Sequence, residues 1–348
     1  MKIFYGVQGT GNGHITRARA MAPKLKAAGI DVTFLFTGRP WKHFFEMEAF
    51  GDFEWRDGLT FQTKNGSVQY IKTALTNPTI QFIRDVKELD LSGYDKVITD
   101  FEPVTAWAAK LRGIPTIGLG HQYAFGQNIP KAGANFIGTQ VLKYFAPATV
   151  GLGIHWNHFH MPILPPLIET DAEMLPIQED KIIVYLPFED VNVVIDLLKP
   201  FRKYQFYIYS PMAPHDGHEH HDHLHVRQLS RAGFQHDFAN AAGVISNAGF
   251  ELASESLHMG KKILAKPLHG QMEQQSNALA LEVLQLGEVM QNLDAKVIET
   301  WLENSQPVRV RFPDVASAVV NWLLKDDVQQ IDNGWIDQLW QQTVKEHL

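Results

Sequence analysis

Cysteine is absent from the 348 residues of this chain. Its absence excludes disulfide bonds, thiolate metal ligands and a thiol nucleophile, and it is typical of a reducing compartment. Long apolar runs are also lacking. No segment reaches the ~18 residues of a membrane-spanning helix, and the apolar run after Met1 is too short for a signal peptide. We therefore expect a cytoplasmic protein.

Basic residues are fewer than acidic ones, with 31 Lys+Arg against 38 Asp+Glu and a net charge of −7. This balance argues against a general nucleic-acid-binding role, so we expect no nucleic-acid partner. The hydrophobic content of 45% is that of an ordinary folded protein. At about 150 residues per domain, the length predicts two domains.

Short apolar strands alternate with helical patterns along both halves of the chain, which predicts right-handed crossovers and parallel sheets. A Pro-rich stretch interrupts the alternation. The predicted units are a domain at 1–160, a linker at 161–180, a second domain at 181–314 and C-terminal helices at 315–348. The predicted fold class is α/β, with two Rossmann-like domains facing a cleft.

A glycine-rich turn follows the first predicted strand. Gly9, Gly11 and Gly13 let backbone N–H groups approach a ligand, and the start of the next helix favours an anion. His14 comes next, and a histidine facing a cleft suits a general base because imidazole titrates near neutrality. On spacing alone an alternative stays open, in which His14 caps the helix or bonds a backbone carbonyl.

The same turn departs from the dinucleotide-binding fingerprint, because His14 stands where the third glycine belongs. The second predicted strand also ends in Thr-Gly-Arg at 37–39, without the acidic residue that binds a ribose. Arg39 could still meet a 2′-phosphate. An NADP-dependent oxidoreductase is therefore the weakest of the functions considered.

Two polar turns follow strands of the second half, where open α/β sheets bind ligands. Helix starts offset diphosphate charge, a carboxylate accepts from two ribose hydroxyls, and carboxamides suit sugar hydroxyls. Taken alone, Glu251 and Glu255 form an i,i+4 pair typical of a solvated helix face. The candidate ligand-binding residues of these turns are Asn247, Ala248, Gly249, Phe250, Glu255, His269, Gln271, Glu273, Gln274, Gln275 and Asn277.

These motifs together resemble those of nucleotide-sugar glycosyltransferases with two Rossmann-like domains, the GT-B fold. The resemblance is strongest to the bacterial peptidoglycan N-acetylglucosaminyltransferase group and its family 28 and family 1 relatives. That group begins with a strand, a turn ending in Gly-His and a helix, as residues 9–19 do. It also shares a Gly-x-x-x-x-Ser-Glu turn like 249–255 and a Glu-Gln-x-x-Asn-Ala turn like 273–278. The resemblance spans nearly the full chain.

The resemblance implies roles for individual residues. Glu255 matches the ribose-binding carboxylate, and Gln274 with Gln275 matches the donor-sugar contacts. The amides of Ala248, Gly249 and Phe250 match the helix start that binds the diphosphate. His14 matches the proposed base, and the base pocket is implied around Phe234 and Phe238. The donor would lie on the second domain and the acceptor on the first, with the C-terminal helices packing back toward the first.

Two features depart from the family pattern. Its Gly-rich turn after the first strand of the second domain is replaced here by Pro-Phe-Glu-Asp at 187–190, whose carboxylates we expect to repel a phosphate. Asp100 and Glu102 also follow a strand and are expected to face the cleft. Either one could act as the base or orient His14. Alternatively, either one caps the helix that begins at Pro103.

Two further segments are conspicuous. Residues 215–225 contain six of the 16 histidines, a composition that can chelate Zn, Ni or Cu. Neighbouring prolines favour a solvated surface loop, so we predict no metal site there. Residues 41–45, with the sequence Trp-Lys-His-Phe-Phe, could contact a membrane that holds a lipid-linked acceptor. Core packing is the simpler explanation of those aromatics.

The sequence thus predicts a hexosyltransferase-type enzyme that moves a sugar from a nucleoside-diphosphate donor, UDP-sugar favoured, to an acceptor hydroxyl. The resemblance implies inversion and no required metal or cofactor. The acceptor would be a glycan or a lipid-linked molecule in cell-envelope synthesis, with peripheral contact at the inner face of the membrane. Two alternatives stay open: a nucleotide-sugar 2-epimerase on the same fold, and a non-enzymatic metal-handling or sensor protein that acts through the His-rich segment.

Overall fold

The fold consists of two α/β halves followed by a C-terminal extension. The computed structural model describes residues 1–60, 63–64, 67–68, 73, 76–133, 136–171, 175–211, 220–325, 328 and 331–348. Each half has its own largely parallel sheet with helices in the crossovers. The predicted α/β fold class is therefore confirmed, whereas the exact domain limits stay a prediction.

The first sheet uses strands between residues 2 and 153. Its central strand is buried on both faces from residue 3 onward, as expected for an apolar run in a parallel sheet. The strands are β1 (Lys2–Gln8), β2 (Asp31–Thr37), β3 (Glu54–Trp55), β6 (Lys96–Asp100), β7 (Thr116–Gly120) and β8 (Val150–Gly153), with a separate pair β4 (Thr63–Lys64) and β5 (Ser67–Val68). The sheet order is β3-β2-β1-β6-β7-β8, and its pairings are parallel. The helices are α1 (Asn12–Ala27), α2 (Thr79–Glu88), α3 (Pro103–Leu111), α4 (His121–Ala124) and α5 (Phe136–Tyr144).

The second sheet repeats the pattern. Its strands are β9 (Gln178–Tyr185), β10 (Gln205–Tyr209), β11 (His220–His221), β12 (Leu224–Arg227), β13 (Ala241–Asn247), β14 (Lys262–Lys266) and β15 (Glu288–Val289). The order is β11-β12-β10-β9-β13-β14-β15, with β11 antiparallel to β12. The helices are α6 (Val191–Leu198), α7 (Arg231–Ala239), α8 (Phe250–Met259), α9 (Met272–Val283) and α10 (Ala295–Asn304).

The C-terminal segment packs back on the first half, as predicted. Helix α11 (Val315–Leu323) contacts α1, and Lys24 of α1 forms an ion pair with Asp314 at 2.7 Å. Helix α12 (Asn333–Gln341) follows, and Trp335 stacks on Trp322. The chain ends in β17 (Val344–His347), antiparallel to β16 (Val308–Arg311), so the expectation of helix up to residue 348 is wrong.

Two helix predictions in the first half also differ from the structure. Residues 41–49 form only short 3₁₀ turns at Trp41–His43 and Glu48–Phe50, because Glu46 adopts a positive φ of 51° between them. In the stretch where one helix is expected over 68–89, the structure has α2 after Pro78 and separate helical residues at 73 and 76. Part of that stretch lies outside the described residues. Among the described helices, none has both the length and the apolarity needed to cross a bilayer.

Candidate active site

A cleft of about 290 Å³ lies between the two halves. The glycine-rich turn after β1, together with α4 and α5, supplies its first wall, and the starts of α8 and α9 supply the second. This is the carboxyl edge of both sheets, where α/β proteins bind ligands. The predicted site residues that line it are Gly11, Gly13, His14, Asn247, Gly249, Phe250, Gln271, Glu273 and Gln274.

His14 and Asp100 form a hydrogen-bonded pair beside the cleft. His14 lies in the first turn of α1, and its Nδ1 is 2.7 Å from Oδ1 of Asp100 at the end of β6. The carboxylate is fully buried, whereas 15% of the imidazole is exposed. Arg17 Nη2 also lies 3.0 Å from Nδ1, and in the tautomer whose Nδ1 donates to the carboxylate, Nε2 is the nitrogen that can accept a proton. The pair has the geometry of a general base with an orienting acid.

Arg17 connects this pair to the other wall of the cleft. Its Nε and Nη2 each donate to Asp100 at 2.7 Å, and its Nη1 donates to Glu251 of α8. Burial alone would raise the pKa of Asp100, but Arg17 and His14 hold that pKa below its usual value. Asp100 is therefore ionised and fixed in place, as an orienting group must be.

Glu102 lies two residues beyond Asp100 but faces away from the cleft. Its carboxylate accepts from the backbone N–H groups of Val104 and Thr105, both at 2.7 Å, and so caps α3. Phe101 between the two acids has a positive φ of 52°, which is strained for a bulky residue and turns the chain sharply. The structure therefore contradicts the expectation that Glu102 is a base. Glu102 is a buried helix cap, and burial raises the pKa of its carboxyl.

Three of the helices that begin at the cleft share one feature. Helices α1, α8 and α9 begin after Gly11, Gly249 and Gln271, and none of the three has a side-chain cap in the described structure. Their first-turn N–H groups therefore remain available to an anion at the positive end of the helix dipole. Six other described helices are capped, by Glu102, Asp190, Ser230, Asp294, Asp314 and Asp332, whereas α2, away from the cleft, begins after Pro78 without a side-chain cap.

The turn before α8 uses some of the amides that were expected to bind a diphosphate. The N–H of Ala248 donates to the Lys266 carbonyl at 3.2 Å, and that of Gly249 donates to the Asn247 carbonyl at 2.7 Å. Both bonds hold the tight turn in place. The amides left for an anion therefore begin at Phe250, in the first turn of α8.

Several buried oxygens on the cleft walls have no hydrogen-bond partner among the described residues. They are the side-chain oxygens Gln122 Oε1, Asn247 Oδ1, Glu251 Oε2 and Gln271 Oε1. Buried polar atoms without partners are uncommon and mark places where a ligand or water binds. Glu273 accepts from Gln122 Nε2 at 3.0 Å, and Gln274 accepts from the Leu268 amide at 3.0 Å. The second wall therefore offers acceptor oxygens to the hydroxyls of a ligand.

Other predicted site residues lie away from the cleft. Glu255, Phe234 and Phe238 line a second cavity of about 630 Å³, together with Ala20 and Pro23 of α1. Helix α1 packs on α8, so successive turns of α8 face different cavities. Burial raises the pKa of Glu255 to about 7. The expectation that these three residues share a cleft with His14 is wrong for this conformation.

Three predicted ligand-binding residues after β14 do not line the cleft either. His269 is exposed. Gln275 packs so closely on Gly133 that any side chain at 133 would overlap it. Asn277 is fully buried, donates to the Ala248 carbonyl at 2.9 Å and accepts from His121 Nε2 at 2.6 Å. Asn277 thus supports the turn before α8 from behind.

The loop at 187–190 is less repulsive to an anion than its sequence suggested. Glu189 is buried and forms an ion pair with Lys266 at 2.8 Å, and Asp190 caps α6. Arg39, the residue considered for a 2′-phosphate, donates to Asn12 Oδ1 at 2.9 Å and lies over the Phe44 ring. Both arginine contacts are internal to the fold, so they do not favour an NADP site.

Residues 215–219 of the His-rich segment lie outside the described residues, which resume at 220. His220 and His221 form β11, and His225 Nε2 donates to Gln205 Oε1 at 2.9 Å. Within the described ranges, no group of three candidate metal ligands comes together. The prediction about a metal at 215–225 therefore stays untested.

Sequence reasoning missed two central residues of the cleft. Arg17 was not considered, although its i,i+3 spacing from His14 places both side chains on one face of α1. Glu251 was interpreted as solvated, whereas it is buried against Arg17. The partners of these residues come from distant parts of the chain, so only the spacing of His14 and Arg17 was available as a signal.

The chain matches the family model described as glycosyl transferase family 1 over residues 1–306. A comparison with curated proteins gave no match. One similar solved structure is LpCGTa in complex with UDP, with a TM-score of 0.58 and 14% identity over 98% of this chain and 97% of that one. The calicheamicin glycosyltransferase CalG4 has a TM-score of 0.55 and 16% identity over 87% of this chain and 90% of that one. MurG of Acinetobacter baumannii has a TM-score of 0.50 and 16% identity over 98% of this chain and 94% of that one. At these identities the structures establish the GT-B fold, and the family match establishes the class of enzyme. The chain therefore belongs to glycosyl transferase family 1 and is a GT-B glycosyltransferase.

Proposed function

We propose that this enzyme transfers a hexosyl group from a nucleoside-diphosphate sugar, with UDP as the favoured nucleotide, to an acceptor hydroxyl. The observation that carries the proposal is the placement of the His14–Asp100 pair across the cleft from the uncapped start of α8. A base on one wall and an anion site on the other are what glycosyl transfer requires. UDP is favoured because one structure of the same fold was solved with it.

The arrangement supports a single displacement with inversion at the anomeric carbon. His14 Nε2 removes the acceptor proton, and the attacking oxygen approaches from the first wall. The diphosphate leaves toward the second wall, where the N–H groups of α8 stabilise its charge. Because these amides act on the developing charge directly, we propose that no metal ion is required.

The donor sugar would lie against the acceptor oxygens of the second wall. Asn247, Gln271 and Glu273 line the cleft, and the first two present oxygens without a partner among the described residues. A sugar offers several O–H donors at short spacing, which suits such a surface. This match favours a sugar that keeps its free hydroxyls.

The acceptor would contact the first wall, which is largely apolar. Phe101, Val141, Leu142 and Phe145 line it, and Phe101 stacks on Phe145 at 5.1 Å. We propose an acceptor whose hydroxyl is carried next to an apolar group, as in a lipid-linked glycan intermediate of the cell envelope. Peripheral membrane contact is part of this proposal, since Trp41 is 54% exposed.

The decisive experiment combines binding and turnover. UDP should raise the melting temperature, because saturation at 100 Kd adds about 2.7 kcal/mol to the stability of the folded state. A UDP-hexose should then be consumed only when an acceptor is present, and EDTA should leave the rate unchanged. No response to UDP, GDP, TDP or ADP at millimolar concentration would contradict the donor site.

The same assay separates the alternatives. Conversion of the nucleotide sugar without an acceptor would indicate a 2-epimerase. Loss of function on deletion of residues 215–225 would favour the metal-handling or sensor role, whereas a transferase should tolerate that deletion.

A further inference from the structure

A carboxyl group lies where the proposed anion has to bind. Glu251 belongs to the first turn of α8, the helix whose uncapped start opens on the cleft. The residue is only 6% exposed, and its Oε1 accepts from Arg17 while its Oε2 has no partner among the described residues. Gly13 lets α1 approach so closely that a Cβ there would be 3.1 Å from the Glu251 Cγ. The free oxygen is therefore held in the cleft wall.

The surroundings of Glu251 make an additional negative charge costly. Its one cationic neighbour in the described structure, Arg17, is shared with Asp100. Burial raises the pKa of the Glu251 carboxyl to about 8, and nearby carboxylates add to that shift while Arg17 opposes it. A diphosphate bound at α8 would raise this pKa further. The titratable groups that face Glu251 are Arg17 on α1, Asp100 on β6, Tyr5 on β1, Glu273 on α9 and Glu255 on α8 itself.

We propose that Glu251 is a catalytic residue that keeps its proton when the donor is bound and donates a hydrogen bond from Oε2 to the diphosphate. This proposal rests on the proposed function. Buried carboxylic acids that stay neutral can act as hydrogen-bond donors to developing anions. Such a donor would also explain how a wall rich in carboxylates accepts a diphosphate.

The proposed step is balanced in atoms and charge. The acceptor oxygen forms a bond to the anomeric carbon, and its proton moves to His14 Nε2. The bond from that carbon to the β-phosphate oxygen breaks, and the electron pair stays on that oxygen. Glu251 keeps its proton throughout, and its hydrogen bond strengthens as the charge on the β-phosphate oxygen grows.

The test measures UDP affinity by calorimetry between pH 6.5 and pH 9.5. Ionisation of Glu251 should weaken binding, so wild-type affinity should fall above pH 8, by up to about tenfold per pH unit. Glu251→Gln keeps a neutral hydrogen-bond donor, so its UDP affinity at pH 7 should stay within a few-fold of the wild-type value. That affinity should not fall above pH 8. Glu251→Ala should bind UDP more weakly than wild type at pH 7, because it lacks the donor, and its affinity should not fall above pH 8.

Glu273→Gln is the matched control, because it removes another carboxylate of the same cleft. This variant should still show a fall in affinity, with an onset slightly below the wild-type pH because the Glu273 charge adds to the upward shift of the Glu251 pKa. Parallel profiles for wild type and Glu251→Gln would overturn the proposal, as would binding by Glu251→Gln at pH 7 that is tighter than wild type by more than a few-fold. Absence of nucleotide binding in the wild type itself would instead overturn the proposed function, and this proposal with it. Melting curves would check that each variant is folded.

Discussion

At the scale of single residues, neighbouring acids of this chain have unrelated tasks. Asp100 is buried beside the cleft and bonds His14, whereas Glu102 caps α3. The positive φ of Phe101 between them produces the difference, because it reverses the direction of the chain at the end of β6. A strained backbone conformation persists where the surrounding structure fixes it. At Phe101 it directs the side chains of Asp100 and Glu102 to different parts of the molecule.

The first residue-scale prediction concerns the base. His14→Ala should lower turnover by about 10²–10⁴, the usual contribution of general base catalysis, while UDP affinity stays near the wild-type value. Asp100→Asn should also lower turnover, because an amide no longer fixes the imidazole in the basic form. Steady-state kinetics with a UDP-sugar and calorimetry with UDP would measure both effects.

His43→Ala is the control for that prediction, since His43 is an exposed histidine outside the cleft. It should have wild-type kinetics. A normal rate for His14→Ala would show that another group removes the acceptor proton.

At the scale of elements, helix capping separates the site from the scaffold. The helices that begin at the cleft lack side-chain caps in the described structure, and several helices elsewhere have them. An uncapped start is slightly less stable by itself, but its free N–H groups gain a partner when an anion binds. The start of α8 therefore offers backbone N–H groups to the diphosphate of the proposed donor without basic side chains.

The element-scale prediction tests Glu102 as a cap. Glu102→Ala should lower the free energy of unfolding by about 2–4 kcal/mol, because loss of the cap adds to the burial of two unpaired N–H groups. Turnover per folded molecule should stay unchanged. Chemical denaturation and kinetics on the folded fraction would measure the two quantities.

Asp294→Ala is the matched comparison, because Asp294 caps α10 at a more exposed position. Its cost should be about 1 kcal/mol, the typical value of a helix cap. If Glu102→Ala lost turnover while its free energy of unfolding stayed unchanged, Glu102 would again be a candidate base.

At the scale of the whole molecule, the C-terminal segment joins the two halves. Helix α11 packs on α1, and β17 pairs with β16. Trp340 Nε1 also donates to the Ile163 carbonyl at 2.7 Å, within the crossing between the sheets. Since α1 carries His14 and Arg17, the C-terminal segment stabilises the helix on which the candidate site is built.

The whole-molecule prediction concerns this packing. Trp322 is 2% exposed, so Trp322→Ala should lower the free energy of unfolding by about 3–5 kcal/mol through loss of buried surface and a residual cavity. Trp41→Ala, at an exposed tryptophan that stacks on Phe53, should cost no more than about 1.5 kcal/mol. Equal effects in a denaturation experiment would mean that α11 does not stabilise the fold.

The sequence by itself determined the alternation of strands and helices, and therefore the two parallel sheets. It also determined the positions of the polar turns, because these follow strands and must meet at the carboxyl edge of a sheet. His14 and Gln274 could thus be assigned to one cleft without coordinates. Only the tertiary structure decided that Glu251 pairs with Arg17, that Glu102 is a cap and that Glu255 faces another cavity. Arg17 and Glu251 are 234 residues apart, and the packing of α1 on α8 that joins them has no local signature in the chain.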